Sequence, residues 1–295
     1  MALVSAAMCP HPMMLIPGIA GDADREWRWL RGACLESVRR LNIPIVGGGQ
    51  SIAWKAPHLV VIVGGDDVTR SFDPACAYGS LWSSGVRWNY GWGIDSEDPQ
   101  PLPLSLTVGY WLMSNSRLGD SGMIVADVIF QSVDFHASPQ ECAELGQDLA
   151  GRAERVSMIV MGEGSTCMTA AARARDAGDA KRSDDEVMRA FDEADAKALA
   201  KLEFRGTETG RAAWQVLAGA AGFNGSTVTF TRMDRAATED TSRLAGRLSR
   251  RTAPARTLIH LVVVAHSRAL ASALRARRQR QSCIYDTTAI IPVSP

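Results

Sequence analysis

The sequence predicts an α/β fold, with a mainly parallel or mixed sheet, helices on both faces, and a basic C-terminal tail that does not match the rest. Two observations predict it. Short runs rich in β-branched and apolar residues end at glycine or proline, as buried strands do. Between them lie segments whose apolar residues recur at steps of three and four, the mark of one helix face. Strands joined through helices pair in parallel, because a parallel pair needs a crossover connection.

Taken in order, Leu3 to Met8 is an apolar run stopped by Cys9-Pro10-His11-Pro12, which predicts a buried strand entering a proline-stiffened loop. Trp27, Leu30, Cys34, Val38 and Leu41 mark the first helix face. His58 to Val63 predicts a second strand, ended by Gly64-Gly65-Asp66-Asp67, and Met123 to Phe130 a third. Ser138-Pro139-Gln140-Glu141 combines an N-cap serine, proline at the first helical position and glutamate at the capping-box position, so a helix starts there. Val156 to Met161 predicts a fourth strand, ending at Gly162-Glu163-Gly164-Ser165. Val187, Met188, Phe191, Ala194 and Leu199 predict one amphipathic helix, and Trp214, Leu217 and Ala218 another.

Composition narrows the function classes. The chain has 295 residues, 46% hydrophobic and 22% charged, which is globular and excludes disorder throughout. No apolar run approaches the ~20 residues of a bilayer crossing, and no basic stretch precedes a signal core, so a cytoplasmic protein without a membrane partner is expected. Six cysteines without a C-x-x-C pair predict free thiols rather than zinc or disulfides. No phosphate-binding glycine loop and no G-x-S-x-G elbow is present.

The net charge of zero hides a division. Residues 223–295 hold twelve arginines, no lysine and four acids, a balance of 12 − 4 = +8, so residues 1–222 carry −8. The expected organisation is an α/β domain over 1–222 and an arginine-rich segment over 223–295. Arg275, Arg277, Arg278 and Arg280 form a cluster able to meet phosphates. No aromatic interleaves it, which disfavours nucleic acid as a partner. The same break also suits a change of reading frame.

In open parallel sheets ligands bind at the carboxyl ends of the strands. The residues there are Cys9 and His11, Asp66 and Asp67, and Glu163, Ser165 and Thr166. One imidazole and three carboxylates are chemically able to hold divalent iron, manganese or zinc. His11 and Asp67 are the candidate metal ligands, and Glu163 the candidate catalytic carboxylate. Each has a plainer reading: His11 as a strand-end cap, Asp66 and Asp67 as turn formers, Glu163 as a solvated turn. His136 reads as a surface residue, and His266 follows a strand-like run, Leu261 to Ala265.

The opening Cys9-Pro10-His11-Pro12-Met13-Met14-Leu15-Ile16-Pro17 resembles the strand and P-H-P-P loop of the catalytic chains of the class III extradiol ring-cleavage dioxygenase superfamily. Pro101-Leu102-Pro103-Leu104 before a helix bearing Trp111, the turn Gly162-Glu163-Gly164-Ser165, and Gly210 to Gly219 resemble shortened actinobacterial members in the same order. The resemblance implies a non-haem Fe(II) held by two histidines and a glutamate, with a further histidine as acid/base, and a catecholic substrate. His11 stands where the first ligand is expected. Gly64-Gly65-Asp66-Asp67 lacks the second histidine, with Asp67 able to substitute; Gly162-Glu163-Gly164-Ser165-Thr166 lacks the acid/base histidine; and the glutamate ligand has no match after Gly222. These departures imply reduced or lost activity and possible absence of iron, or a non-catalytic binding or scaffold protein that keeps the fold. A small aromatic molecule is the implied partner, and homo-oligomerisation is common in such folds, although no seam is legible.

Overall fold

The computed structural model describes residues 2–41, 43, 45–46, 56–116, 123–124, 126–163, 186–187, 189–190, 195–203, 210–222, 227–233 and 258–264. The fold is α/β, as the alternation predicts. A seven-stranded sheet has the order β11 (Thr227–Met233), β12 (Leu258–Val264), β1 (Ala2–Cys9), β10 (Arg155–Met161), β3 (Leu59–Asp66), β9 (Asp127–Asp134), β4 (Arg70–Phe72). All neighbours pair in parallel except β4, which runs antiparallel along the β9 edge.

Side-chain alternation divides the core into two layers. Ala7, Cys9, Val60, Ile62, Phe130, Ile159 and Met161 pack under α1 (Asp24–Arg39) and α2 (Leu104–Asn115). Ala6, Met8, Val61, Val63, Val133, Met158 and Val160 pack under α3 (Pro139–Gly151) and α5 (Arg211–Gly222), the helices of the opposite face. Nearly continuous burial of β3 and β10 follows from having helices on both sides. All five residues of the first helix stripe are buried. Ser138 caps α3 in a capping box with Glu141, as its sequence predicts.

Two expected elements divide. The run Met123 to Phe130 is split between β8 (Met123–Ile124), which pairs with β2 (Ile45–Val46) in a separate ribbon, and β9, which continues to Asp134. The polar Gln131 and Ser132 hide that continuation from a hydrophobicity reading. Both are buried, and the Ser132 hydroxyl donates to the carbonyl of Val68 at 2.6 Å. The helix expected through Val187 and Leu199 is interrupted at Asp195, whose carboxylate accepts the N–H groups of Lys197 and Ala198 and starts α4 (Ala196–Ala200) afresh. Met188, Phe191 and Ala194 lie outside the described residues.

Between β4 and α2 the chain forms a second sheet of order β6 (Asn89–Tyr90), β5 (Ala77–Ser80), β7 (Gln100–Leu102). Aromatic rings fasten it to the main core. Trp88 stacks on Tyr90, and Trp92 meets Tyr110 edge-on with ring centres 4.6 Å apart. Gly91 has φ +114°, and a Cβ there would stand 2.6 Å from the Tyr110 hydroxyl oxygen. Cys9, Cys34, Cys76 and Cys142 are free thiols; Cys167 and Cys283 lie outside the described residues. No described helix is long and apolar enough to cross a membrane.

Candidate functional site

β1 and β10 lie side by side, yet their onward connections run over opposite faces. β1 leads to α1 on one face, and the chain after β10 leads to α4 and α5 on the other. In open α/β sheets, ligands bind outside the carboxyl ends of adjacent strands whose connections diverge in this way. His11 and Glu163 sit two residues beyond these ends.

Their backbones are tightly held. Gly162 N–H donates to the Cys9 carbonyl at 3.1 Å, continuing the β1–β10 ladder by one step. His11 N–H donates to Oε1 of Glu163 at 3.0 Å, and Gly210 N–H donates to the Glu163 carbonyl at 3.0 Å. Behind the turn, a Cβ on Gly162 would stand 2.5 Å from Nε1 of Trp214, so the indole packs against a seat only glycine leaves open. On the other side, the buried Arg31 guanidinium donates to the carbonyl of Leu15 at 2.5 Å and that of Met14 at 3.3 Å, fixing the segment after His11.

His11 is 7% exposed, and its Nδ1 is buried without a hydrogen-bond partner among the described residues. Burial lowers the imidazole pKa below its ordinary 6.5, and the nearby Glu163 carboxylate opposes this only in part. The ring is therefore neutral at pH 7. A neutral imidazole with an uncommitted nitrogen is equipped to bind a hydroxyl or a metal ion. Leaving such an atom unmatched costs about 1–3 kcal/mol, which a ligand would recover.

No protein-family model and no curated protein matches the chain.

The remaining sequence candidates are dispersed. Asp66 ends β3 half-buried, and Asp67 follows it exposed to solvent. Because β10 separates β3 from β1, those strand ends stand about 10 Å apart at ordinary strand spacing. Among the described residues no three His, Cys, Asp or Glu side chains are grouped as metal ligands. The described donors thus do not complete a three-ligand iron centre: His11 offers a nitrogen, and Glu163 already spends one oxygen on the His11 amide. His58 precedes β3, exposed, with Nδ1 4.0 Å from Glu154. His136 is exposed, as expected, while Ser165, Thr166, His266 and the arginine cluster lie outside the described residues.

A second concavity went unseen in the sequence. A cleft of about 540 Å³ opens at the end of β3, lined by Asp66, Arg70, Tyr78, Trp82, Asn89 and the turn into α2 among others. Its residues come from strands β3 to β7, the turn at Trp82 and the start of α2, and follow no hydrophobic period. The only sequence cue is a tryptophan followed by Ser83-Ser84-Gly85, a poor setting for a core residue.

Proposed function

We propose that the protein binds a small hydroxylated aromatic molecule in the crevice at His11 and Glu163, as an extradiol dioxygenase-like protein whose ring-cleaving activity is reduced or lost. The carrying observation is the neutral, buried His11 ring with its unpartnered Nδ1 at a topological switch point. A phenolic hydroxyl supplies the missing partner, and the turn carrying Glu163 holds the loop in register for it. Loss of catalysis follows from the aspartates where the resemblance requires a histidine after β3, and from Gly162-Glu163-Gly164-Ser165-Thr166 without a histidine.

A second reading, an active dioxygenase, is favoured by the placement of His11 directly after β1. Calorimetric titration of the full chain with catechol under anaerobic conditions, with and without added Fe(II), separates the two. The expected result is metal-independent binding, weakened at least about tenfold in His11→Ala, with no ring-opened product on admission of oxygen. Ring-opening after Fe(II) loading would establish the active reading. Absence of catechol binding in any form would overturn both.

A further inference from the structure

The cleft at the end of β3 is separate from His11, which does not line it, and its chemistry selects a different ligand. We propose that it binds the pyranose ring of a neutral saccharide, with Trp82 as the stacking platform. This does not rest on the dioxygenase-like reading.

The wall composition carries the argument. Asp66 and Arg70 both line the cleft, so an anion or a cation entering it would meet one favourable and one unfavourable charge. A neutral ligand avoids that conflict. The side chains of Asp66, Tyr78 and Asn89 have no hydrogen-bond partner among the described residues, so an acceptor-only carboxylate, a hydroxyl and an amide are all open to a ligand. A ligand matching them must both donate and accept around its edge, which is what ring hydroxyls do. Trp82 is 60% exposed at the rim, an apolar surface that water solvates poorly. A pyranose has one C–H face for an indole and hydroxyls around its edge. Tyr78 and the turn over residues 101–104 add apolar surface to the same cleft.

The backbone that carries Trp82 is held in a tight turn. Trp82 N–H donates to Oγ of Ser80 at 3.3 Å, Gly85 N–H closes the turn onto the Trp82 carbonyl at 3.0 Å, and Gly85 takes φ +77° to allow it. The Arg70 guanidinium lies 4.2 Å from the centre of the Phe72 ring, which limits its orientations. At about 540 Å³ the cleft falls within the 300–1,000 Å³ range of small-molecule sites.

The test uses the ¹⁵N-labelled full chain, titrated with methyl glucoside, methyl galactoside and methyl mannoside and with the corresponding disaccharides. The expected result is a saturable shift of the Trp82 indole N–H resonance, identified by its loss in Trp82→Ala, with at least one saccharide. Calorimetry should then give affinity reduced at least about tenfold in Trp82→Ala and in Asp66→Asn, both with wild-type circular dichroism because neither side chain is packed in the core. No saturable Trp82 shift with any of these saccharides at about 50 mM, affinity unchanged in both variants, or displacement of the Trp82 resonance by catechol alone would overturn the proposal.

Discussion

At His11, burial and an unmatched ring nitrogen conflict. Its ring is buried, its Nδ1 has no hydrogen-bond partner among the described residues, and the Glu163 carboxylate accepts the His11 backbone N–H rather than a ring N–H. Because folding lowers its pKa, the unfolded chain takes up this proton first as pH falls. The contribution of His11 to stability is therefore constant above its ordinary 6.5 and is lost progressively below it, down to the folded value. Urea denaturation of wild type and His11→Gln across that interval checks this: the wild-type unfolding free energy should fall more steeply with acidification than that of the variant. Equal slopes would mean that the imidazole titrates alike in the folded and unfolded chains. His11 was legible as a strand-end residue, since the proline pair around it announces a rigid loop. The Glu163 contact was not, because 152 positions separate the two residues.

At the scale of elements, the α3–α5 pair shows how glycine sets a packing distance. A Cβ on Gly219 would stand 2.5 Å from the Ala143 carbonyl oxygen, and one on Gly146 would overlap the Val216 carbonyl, so the two backbones touch at reciprocal glycines. Gly146→Ala must push the helices apart and disturb the layer that backs β10 and Trp214. The expected cost is about 2 kcal/mol, read as a lowered urea midpoint with an unchanged slope. An unaltered midpoint would mean that the helices slide apart freely. The helices themselves were legible from apolar steps and from the Ser138 capping box. Their contact was not, since Gly146 and Gly219 break no pattern within their own segments. The two misjudged elements have a common cause: Gln131, Ser132 and Asp195 spend polar groups on nearby backbone, so hydrophobicity alone extends one element too far and stops another too soon.

At the scale of the whole molecule, the compositional break after Gly222 does not coincide with the edge of the sheet. β12 pairs in parallel with β1 from Ser5↔His260 to Met8↔Val263, and β11 pairs outside it. A chain ended after Gly222 would leave the buried central strand β1 with an open edge, the condition that promotes aggregation. Such a truncation should aggregate or unfold at a lower urea concentration than the full chain, as followed by light scattering and circular dichroism. A monomeric truncation of unchanged stability would show that 1–222 is self-sufficient. The sequence by itself determined the α/β class, the parallel pairing, the start of α3 and the placement of His11 and Glu163 at strand ends, because apolar period, caps and turn residues act over a few neighbours. Only the tertiary structure decided that β10 enters between β1 and β3, bringing Glu163 to His11 and moving Asp67 one strand farther off. It also decided that strands β3 to β7 and the start of α2 enclose the cleft beside Trp82. Strand order and cleft walls arise from contacts between residues far apart in the chain, and no local pattern of side chains encodes which of them will meet.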